Sequence, residues 1–335
     1  SPTPDYSALW IRDHLYMTFS YFYLGADYLE KLVQGIQLVF NIFHTHRHKL
    51  ERILPARDQY GKLIVYELIN AKYEPMTLNE VTRDWGHHQL DMLGLFLYIV
   101  AYLDFQNITV SRDRKDREIL QLIVWYLGNI RYWEEPDNGI WEECIIKRSS
   151  SIGSVVAGLK YIERQGLNVV VPTQLISLGE NELHRILPYE SRDNCGIPQH
   201  NHDCDAAQLF LIWPFHVLDR EMTDTILSRI IKGHMTDRGI FHRLVQPHGI
   251  NRYWGDGYYL SKNGISAQWQ LDFLFSIIYA QLNDYENAVY WFNRGSSRIT
   301  VDYCITEAYT NDKPNNHTPL GWMHALALVA YLKLP

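Results

Sequence analysis

The chain of 335 residues lacks most of the marks that would assign it to a familiar non-enzymatic class. A membrane helix needs about 20 consecutive apolar residues. The longest apolar run here lies between Asp91 and Asp104 and is far too short. Basic residues do not dominate: 31 Lys and Arg stand against 38 Asp and Glu, a net charge of −7. That is the wrong sign for gathering phosphates, so neither nucleic acid nor a membrane is an expected partner. Cysteine is scarce, and Cys144, Cys195, Cys204 and Cys304 are too scattered to read as a disulfide framework or a paired zinc knuckle. A reduced compartment follows from that usage. Neither a phosphate-cradling glycine loop nor a Ser-His-Asp arrangement is visible. The opening Ser1-Pro2-Thr3-Pro4 carries no basic or apolar targeting segment, so a cytoplasmic protein is expected. Linkers and low-complexity tracts are also missing, and residues 1–335 read as one domain.

What is present is apolar and aromatic. Hydrophobic residues make up 47% and charged residues 21%, enough to build a core and exclude general disorder. The 10 Trp, 23 Tyr and 12 Phe are an excess suited both to helix packing and to sugars, which need an apolar face beside hydrogen-bonding groups. Apolar residues recur at three- and four-residue steps over 115–133 (Ile119, Leu122, Ile123, Tyr126, Leu127, Ile130) and over 149–164, which predicts helices. Similar stretches cover 13–33, 82–103, 205–216, 222–233, 265–281 and 283–293. A last helix, 318–334, is expected to open with Thr318 as N-cap and Pro319 as first helical residue, and Gly233 suits a C-cap. Strand signals are few, at 63–67 and 239–245. Helices joined by long loops point to an all-α domain with a site built on one face.

The most informative loop follows the 115–133 helix. Pro136-Asp137-Asn138-Gly139 is a strong turn, and Trp-Glu-Glu occurs on both sides of it. Glu134 and Glu135 lie at a helix C-terminus and read as solvated charges. Glu142 and Glu143 follow Trp141. An apolar ring on one side and a like charge on the other raise a carboxyl pKa, which suits a general acid. Histidines cluster at His44, His46 and His48, and again at His200, His202, Asp203, Cys204 and Asp205. Neither cluster completes a metal motif, so no metal or other cofactor is expected. Asp203 reads as an N-cap for the next helix. Two glycosylation sequons, at Asn107 and Asn316, read as chance matches.

Five segments in one chain order resemble glycoside hydrolase family 15, the glucoamylases. Trp10-Ile11-Arg12-Asp13 is similar to the family's Trp-x-Arg-Asp, and 85–91 to its Trp-Gly-x-x-Gln-x-Asp. Trp141-Glu142-Glu143 matches the acid motif, with Tyr132-Trp133 the expected distance before it. Arg252-Tyr253 with Tyr258-Tyr259 matches the Arg-Tyr…Tyr-Tyr loop, and Ile305-Thr306-Glu307-Ala308-Tyr309 the general-base segment. Stretches 85–91, 139–142 and 186–215 are also similar to the glucoamylase-like regions of phosphorylase kinase alpha and beta subunits, which are regulatory.

The resemblance implies an (α/α)6 barrel and an exo-acting, inverting hydrolase that releases glucose from nonreducing ends of α-glucosides. It implies Glu142 as general acid and Glu307 as general base. These lie 165 residues apart in the chain, so a closed ring of helices would have to unite their loops. Arg12 and its acceptor Asp13 would grip the terminal glucose, and Trp10, Trp85 and Trp141 would face its ring. Glu143, Arg252 and Tyr253 would contact the substrate. His87 and His88 stand where fungal glucoamylases carry Arg and Pro, which leaves the second sugar position open. A non-catalytic glucan sensor, a trehalase or an α-1,6-glucosidase are the alternatives.

Overall fold

The computed structural model describes residues 7–52, 57–59, 61, 64, 67–82, 85–193, 196, 201–236, 239–257, 266–310 and 313–335, apart from the side chain of Asn201. Tyr258, Tyr259, Cys195, His200 and most of the strand expected at 63–67 lie outside them. The chain forms two compact units, residues 8–187 and residues 188–335 with 1–7.

The first unit opens with β1 (Leu9–Trp10) and α1 (Ile11–Leu24), followed by α2 (Leu29–Thr45) and α3 (Arg47–Leu50). The single helix expected over 13–33 is broken at Gly25, whose φ of 89° leaves the helical region. Then come β2 (Lys72–Tyr73), α4 (Leu90–Phe105), α5 (Arg114–Asn129), α6 (Ser149–Gln165) and α7 (Thr173–Ile186). β1 and β2 pair antiparallel with Trp10 opposite Lys72, and Ile11 N donates to Ala71 O at 3.0 Å. That pairing fixes where α1 starts.

α4 begins at Leu90, well after the expected 82. Gln89 is extended (φ −132°, ψ 101°), and Leu90 N donates to the Asp137 carboxylate at 2.9 Å, so the cap comes from a distant loop. α5 is capped by Asp113 and ends four residues before the expected 133, because Arg131 turns to φ 59°. α4 is buried around nearly its whole circumference. It packs on α6 at backbone distance: a Cβ added to Gly94 would lie 2.4 Å from the Ser154 carbonyl carbon, and one added to Gly158 would lie 2.7 Å from the Gly94 oxygen.

The second unit contains β3 (Asn201–Asp205), α8 (Leu209–Ile212), α9 (Arg220–Lys232), β4 (His234–Met235), β5 (Phe241–His242), β6 (Val245–Gln246), β7 (Gly249–Ile250) and β8 (Tyr253–Trp254). It continues with β9 (Gln268–Trp269), α10 (Asp272–Gln281), α11 (Tyr285–Ser296), β10 (Ala308–Thr310), β11 (Lys313–Pro314) and α12 (Gly321–Lys333). One sheet has the order β11-β10-β9-β7-β6; β3 pairs with β8 and β4 with β5. These strands are two to five residues long, too short for a period-two pattern to register. The expected arm at 239–245 resolves into β5 and the start of β6.

Three helix starts differ from expectation. The cap after β3 is Asp205, in a capping box with Gln208, and not Asp203; the α-helical part of 205–216 is only α8. α10 starts at Asp272 because β9 occupies the residues before it. α12 starts after Leu320, whose ψ of 119° is extended. The Thr318 hydroxyl instead donates to the Asn315 carbonyl and shares a hydrogen bond with the Thr306 hydroxyl, both at 2.8 Å, so it serves a loop and not a cap. Gly233 ends α9 as expected, at φ 91°. Among the described residues no helix is long and apolar enough to cross a membrane.

The α4 and α6 contact gives a test. Helix propensity alone favours Gly94→Ala by ~1 kcal/mol. The new methyl would strike backbone that cannot swing aside, so we expect a net loss of ~1–3 kcal/mol. Urea unfolding reads this directly, and an unchanged or raised midpoint would show that the two helices can part.

Candidate active site

In the first unit the expected residues converge on Arg12, which is 3% exposed in the first turn of α1. Its Nη1 donates to Gln89 Oε1 at 2.7 Å and lies 3.4 Å from Asp91 Oδ2; its Nη2 donates to Glu142 Oε1 at 2.6 Å. The other Glu142 oxygen accepts from Trp85 Nε1, also at 2.6 Å. Trp10 and Trp85 meet edge to face with ring centres 6.0 Å apart, and Lys72 Nζ lies 4.3 Å from the Trp10 ring. Trp85 is 43% exposed, so it is no core residue, whereas Trp141 is 6% exposed.

Charge is concentrated here. Burial raises the Glu142 pKa against the pull of Arg12 and the Trp85 hydrogen bond. Glu143 is not among the causes, so the like-charge effect expected from sequence gives way to desolvation. Burial pushes Asp13 up to about 6, with Arg12 opposing. Asp13 was expected to be the acceptor for Arg12. The guanidinium instead spends its donors on Gln89, Asp91 and Glu142, and Asp13 feels it only through space. Burial lowers the Arg12 pKa, but Asp91 and Glu142 outweigh it, and the group is held firmly charged.

In the second unit Glu307 is 5% exposed and stands just before β10. Its Oε2 accepts from Asn315 Nδ2 at 2.7 Å, and its carbonyl accepts from Gln270 N. Arg252 is 2% exposed and forms a two-pronged pair with Asp256, at 2.7 and 2.6 Å. Its guanidinium lies 5.2 Å from the Trp269 ring, in the strand that pairs with β10. Tyr253 is fully buried against His202, ring centres 4.1 Å apart.

Sequence reasoning did not assign Gln89, Asp91, Lys72, Asp256 or Asn315 to the site. The Trp-Gly-x-x-Gln-x-Asp spacing carried a signal for the first two, but a two-residue strand gives none for Lys72. The histidines have local partners: His44 bonds Asp116 at 2.8 Å, His46 bonds the Leu78 carbonyl at 2.8 Å and is buried, and His202 bonds Asp205 at 2.9 Å. Glu134 pairs with Arg131, and Glu135 is largely covered, with Arg57 at 3.0 Å. No group of three or more metal-capable side chains occurs among the described residues.

The fold is the glucoamylase-like (α/α)6 barrel. Residues 1–163 match the family model for glycosyl hydrolases family 15. A wild-type glycosidase structure superposes with a TM-score of 0.76 at 16% identity, covering 98% of this chain and 89% of that one. The glucoamylase of Saccharomycopsis fibuligera gives 0.69 at 14% identity, covering 98% and 86%. Among curated proteins, a probable phosphorylase b kinase regulatory subunit alpha of Caenorhabditis elegans is 24% identical over 96% of this chain and 30% of its own length. Its Drosophila melanogaster counterpart is 25% identical over 79% and 22%. The chain thus spans less than a third of the length of those relatives.

Removing the cation tests the cluster. Arg12→Ala leaves Asp91 and Glu142 buried without it, a loss of ~3–5 kcal/mol at pH 7. Raised carboxyl pKa values mean the folded variant binds more protons than the unfolded chain, so the penalty should shrink towards pH 5. Urea unfolding at both pH values measures it; an equal loss at each would show that the carboxylates are not what Arg12 compensates.

Proposed function

We propose that this chain is an exo-acting, inverting glycoside hydrolase that releases glucose from nonreducing ends of α-glucosides, with Glu142 as general acid and Glu307 as general base. The observation that carries the reading is Glu142: a carboxyl only 12% exposed, with a raised pKa, held between a cation and an exposed tryptophan. An acid that protonates a glycosidic oxygen must hold its proton near neutrality, and burial supplies that bias.

Arg12 works against it while the pair is made. A terminal glucose offers hydroxyls that can accept from Arg12 and donate to Asp13, which no other side chain among the described residues ion-pairs. As the sugar takes over those donors, Glu142 loses its hydrogen bond to Arg12 and its proton affinity rises. Trp10 and Trp85 supply aromatic surface and Glu143 and Arg252 further contacts, while Trp141 and Tyr253, both buried, support them from behind. Glu307 acts ionised and takes a proton from the attacking water; the Asn315 amide orients its carboxylate. Glucose leaves with inverted anomeric configuration.

The relatives favour a second reading, since those matched are named as regulatory subunits. On it, the same cluster binds a glucan without cleaving it. One experiment separates the two: maltose, isomaltose, nigerose, kojibiose, dextran and trehalose are offered while proton NMR follows the first product anomer. We expect β-glucose from an α-linked substrate. Glu307→Gln should abolish release and retain sugar binding by calorimetry. The alkaline limb of the pH profile should lie higher in kcat than in kcat/KM, because bound sugar frees Glu142 from Arg12. Tight binding with no release from any substrate would establish the sensor, and α-glucose as first product would exclude inversion.

A further inference from the structure

The loop that carries Glu142 is tied down by a residue that none of the matched motifs includes. Asn138 is 7% exposed, and both ends of its side chain are used. Its Oδ1 accepts from His88 N at 3.1 Å, and its Nδ2 donates to the Glu143 carbonyl. Its backbone is used as well: Asn138 N donates to the His88 carbonyl at 2.8 Å, and Glu143 N donates to the Asn138 carbonyl at 3.2 Å. One residue therefore joins the segment 85–89 to Glu143, directly after Glu142.

Two further observations show that this tie holds something under constraint. Glu142 has φ 62°, a left-handed conformation that side-chain-bearing residues rarely adopt unless their surroundings impose it. The two segments also approach at backbone distance: a Cβ on Gly86 would lie 2.4 Å from the Glu142 carbonyl oxygen and 3.0 Å from the Asn138 Cβ. Trp85 and Gln89, which bond Glu142 and Arg12, flank this contact. The loop beyond Glu143 is closed by a bridge between Asp137 and Ile146, and Asp137 also caps α4.

We infer that Asn138 is a positioning residue for the acid: by bonding His88 and Glu143 together it holds the Glu142 carboxyl at Trp85 and Arg12, in the orientation from which it serves the leaving oxygen. It touches no substrate. The inference rests on the hydrolase reading for its catalytic consequence, but the positioning itself has a signature that needs no substrate.

The test uses Asn138→Ala, which removes both side-chain bonds, and Asn138→Asp, which keeps an acceptor for His88 N but loses the donor to Glu143. Hydrogen exchange should show the His88 amide unprotected in Asn138→Ala and still protected in Asn138→Asp, with both variants otherwise folded as wild type. The Trp85 contribution to fluorescence, isolated by subtracting Trp85→Phe in each background, reports ionisation of the bonded Glu142. Its midpoint in both variants should rise further above the ordinary 4.5, because the bonds to Trp85 and Arg12 that hold it down are loosened while the burial that raises it remains. On whichever panel sugar the wild type cleaves, kcat should fall about 10- to 100-fold with KM within about twofold, since Arg12 and Asp13 still bind the sugar.

An unmoved Trp85 midpoint, or kcat retained in both variants, would overturn the inference. So would a loss confined to folded yield, with normal kcat per folded molecule, because that is a structural role only. A wild type that cleaves nothing in the panel fails the hydrolase reading instead. The midpoint then decides alone whether Asn138 positions Glu142.

Discussion

A guanidinium almost out of reach of solvent has to be paired, and the first unit is arranged around that requirement. Arg12 is 3% exposed, and its ordinary hydration is replaced by Gln89, Asp91 and Glu142. Those partners come from three places in the chain: the extended run before α4, the first turn of α4, and the loop after the Pro136 turn. None is near Arg12 in sequence, yet each is held by backbone as well as by charge. The β1 and β2 pair sets the start of α1, Asp137 sets the start of α4, and Asn138 sets the acid loop. A buried cation thus aligns segments that hydrophobic packing alone would leave free to shift by a residue.

The same arrangement explains why the carboxyls are perturbed in the direction they are. Burial raises Glu142 and Asp13, and Arg12 limits the rise without cancelling it. The balance is poised: a neutral ligand that competed for the Arg12 donors would weaken the Arg12 hydrogen bond to Glu142 and leave the desolvation in place. Sugar hydroxyls are neutral acceptors and do so without adding charge. In the second unit the emphasis differs. Arg252 is locked bidentately to Asp256, and Glu307 accepts a hydrogen bond from the neutral Asn315 amide.

The sequence reading reached the helices whose apolar spacing is regular, such as α6 and α9, because periodicity reports burial directly. It misplaced boundaries wherever something non-local decided them. α4 starts where Asp137 reaches it, 47 residues away, and no local pattern before Leu90 contains that information. α12 starts late because Thr318 is engaged by Thr306. Gly25, by contrast, was a legible breaker that the long apolar pattern over 13–33 masked. For the site, Arg12, Trp85 and Glu142 were legible because their residue types and order match a known pattern, and the structure brings them into contact. Lys72 and Asn138 were not, since their roles depend on which backbone lies opposite. The fold shared with a glycosidase at 16% identity and a glucoamylase at 14% shows how far a fold outlives its sequence.

The central claim is that Glu142 is a proton reservoir restrained by Arg12 and released by sugar. Carbon-13 NMR of glutamate-labelled protein, with Glu142 assigned by comparison with Glu142→Gln, reads its titration without and with saturating maltotriose. The account predicts a midpoint above the ordinary 4.5 in the free protein and a further rise when the sugar is bound. A midpoint that stays put or falls on binding would contradict it, because Arg12 would then still be holding the carboxylate ionised with the ligand in place.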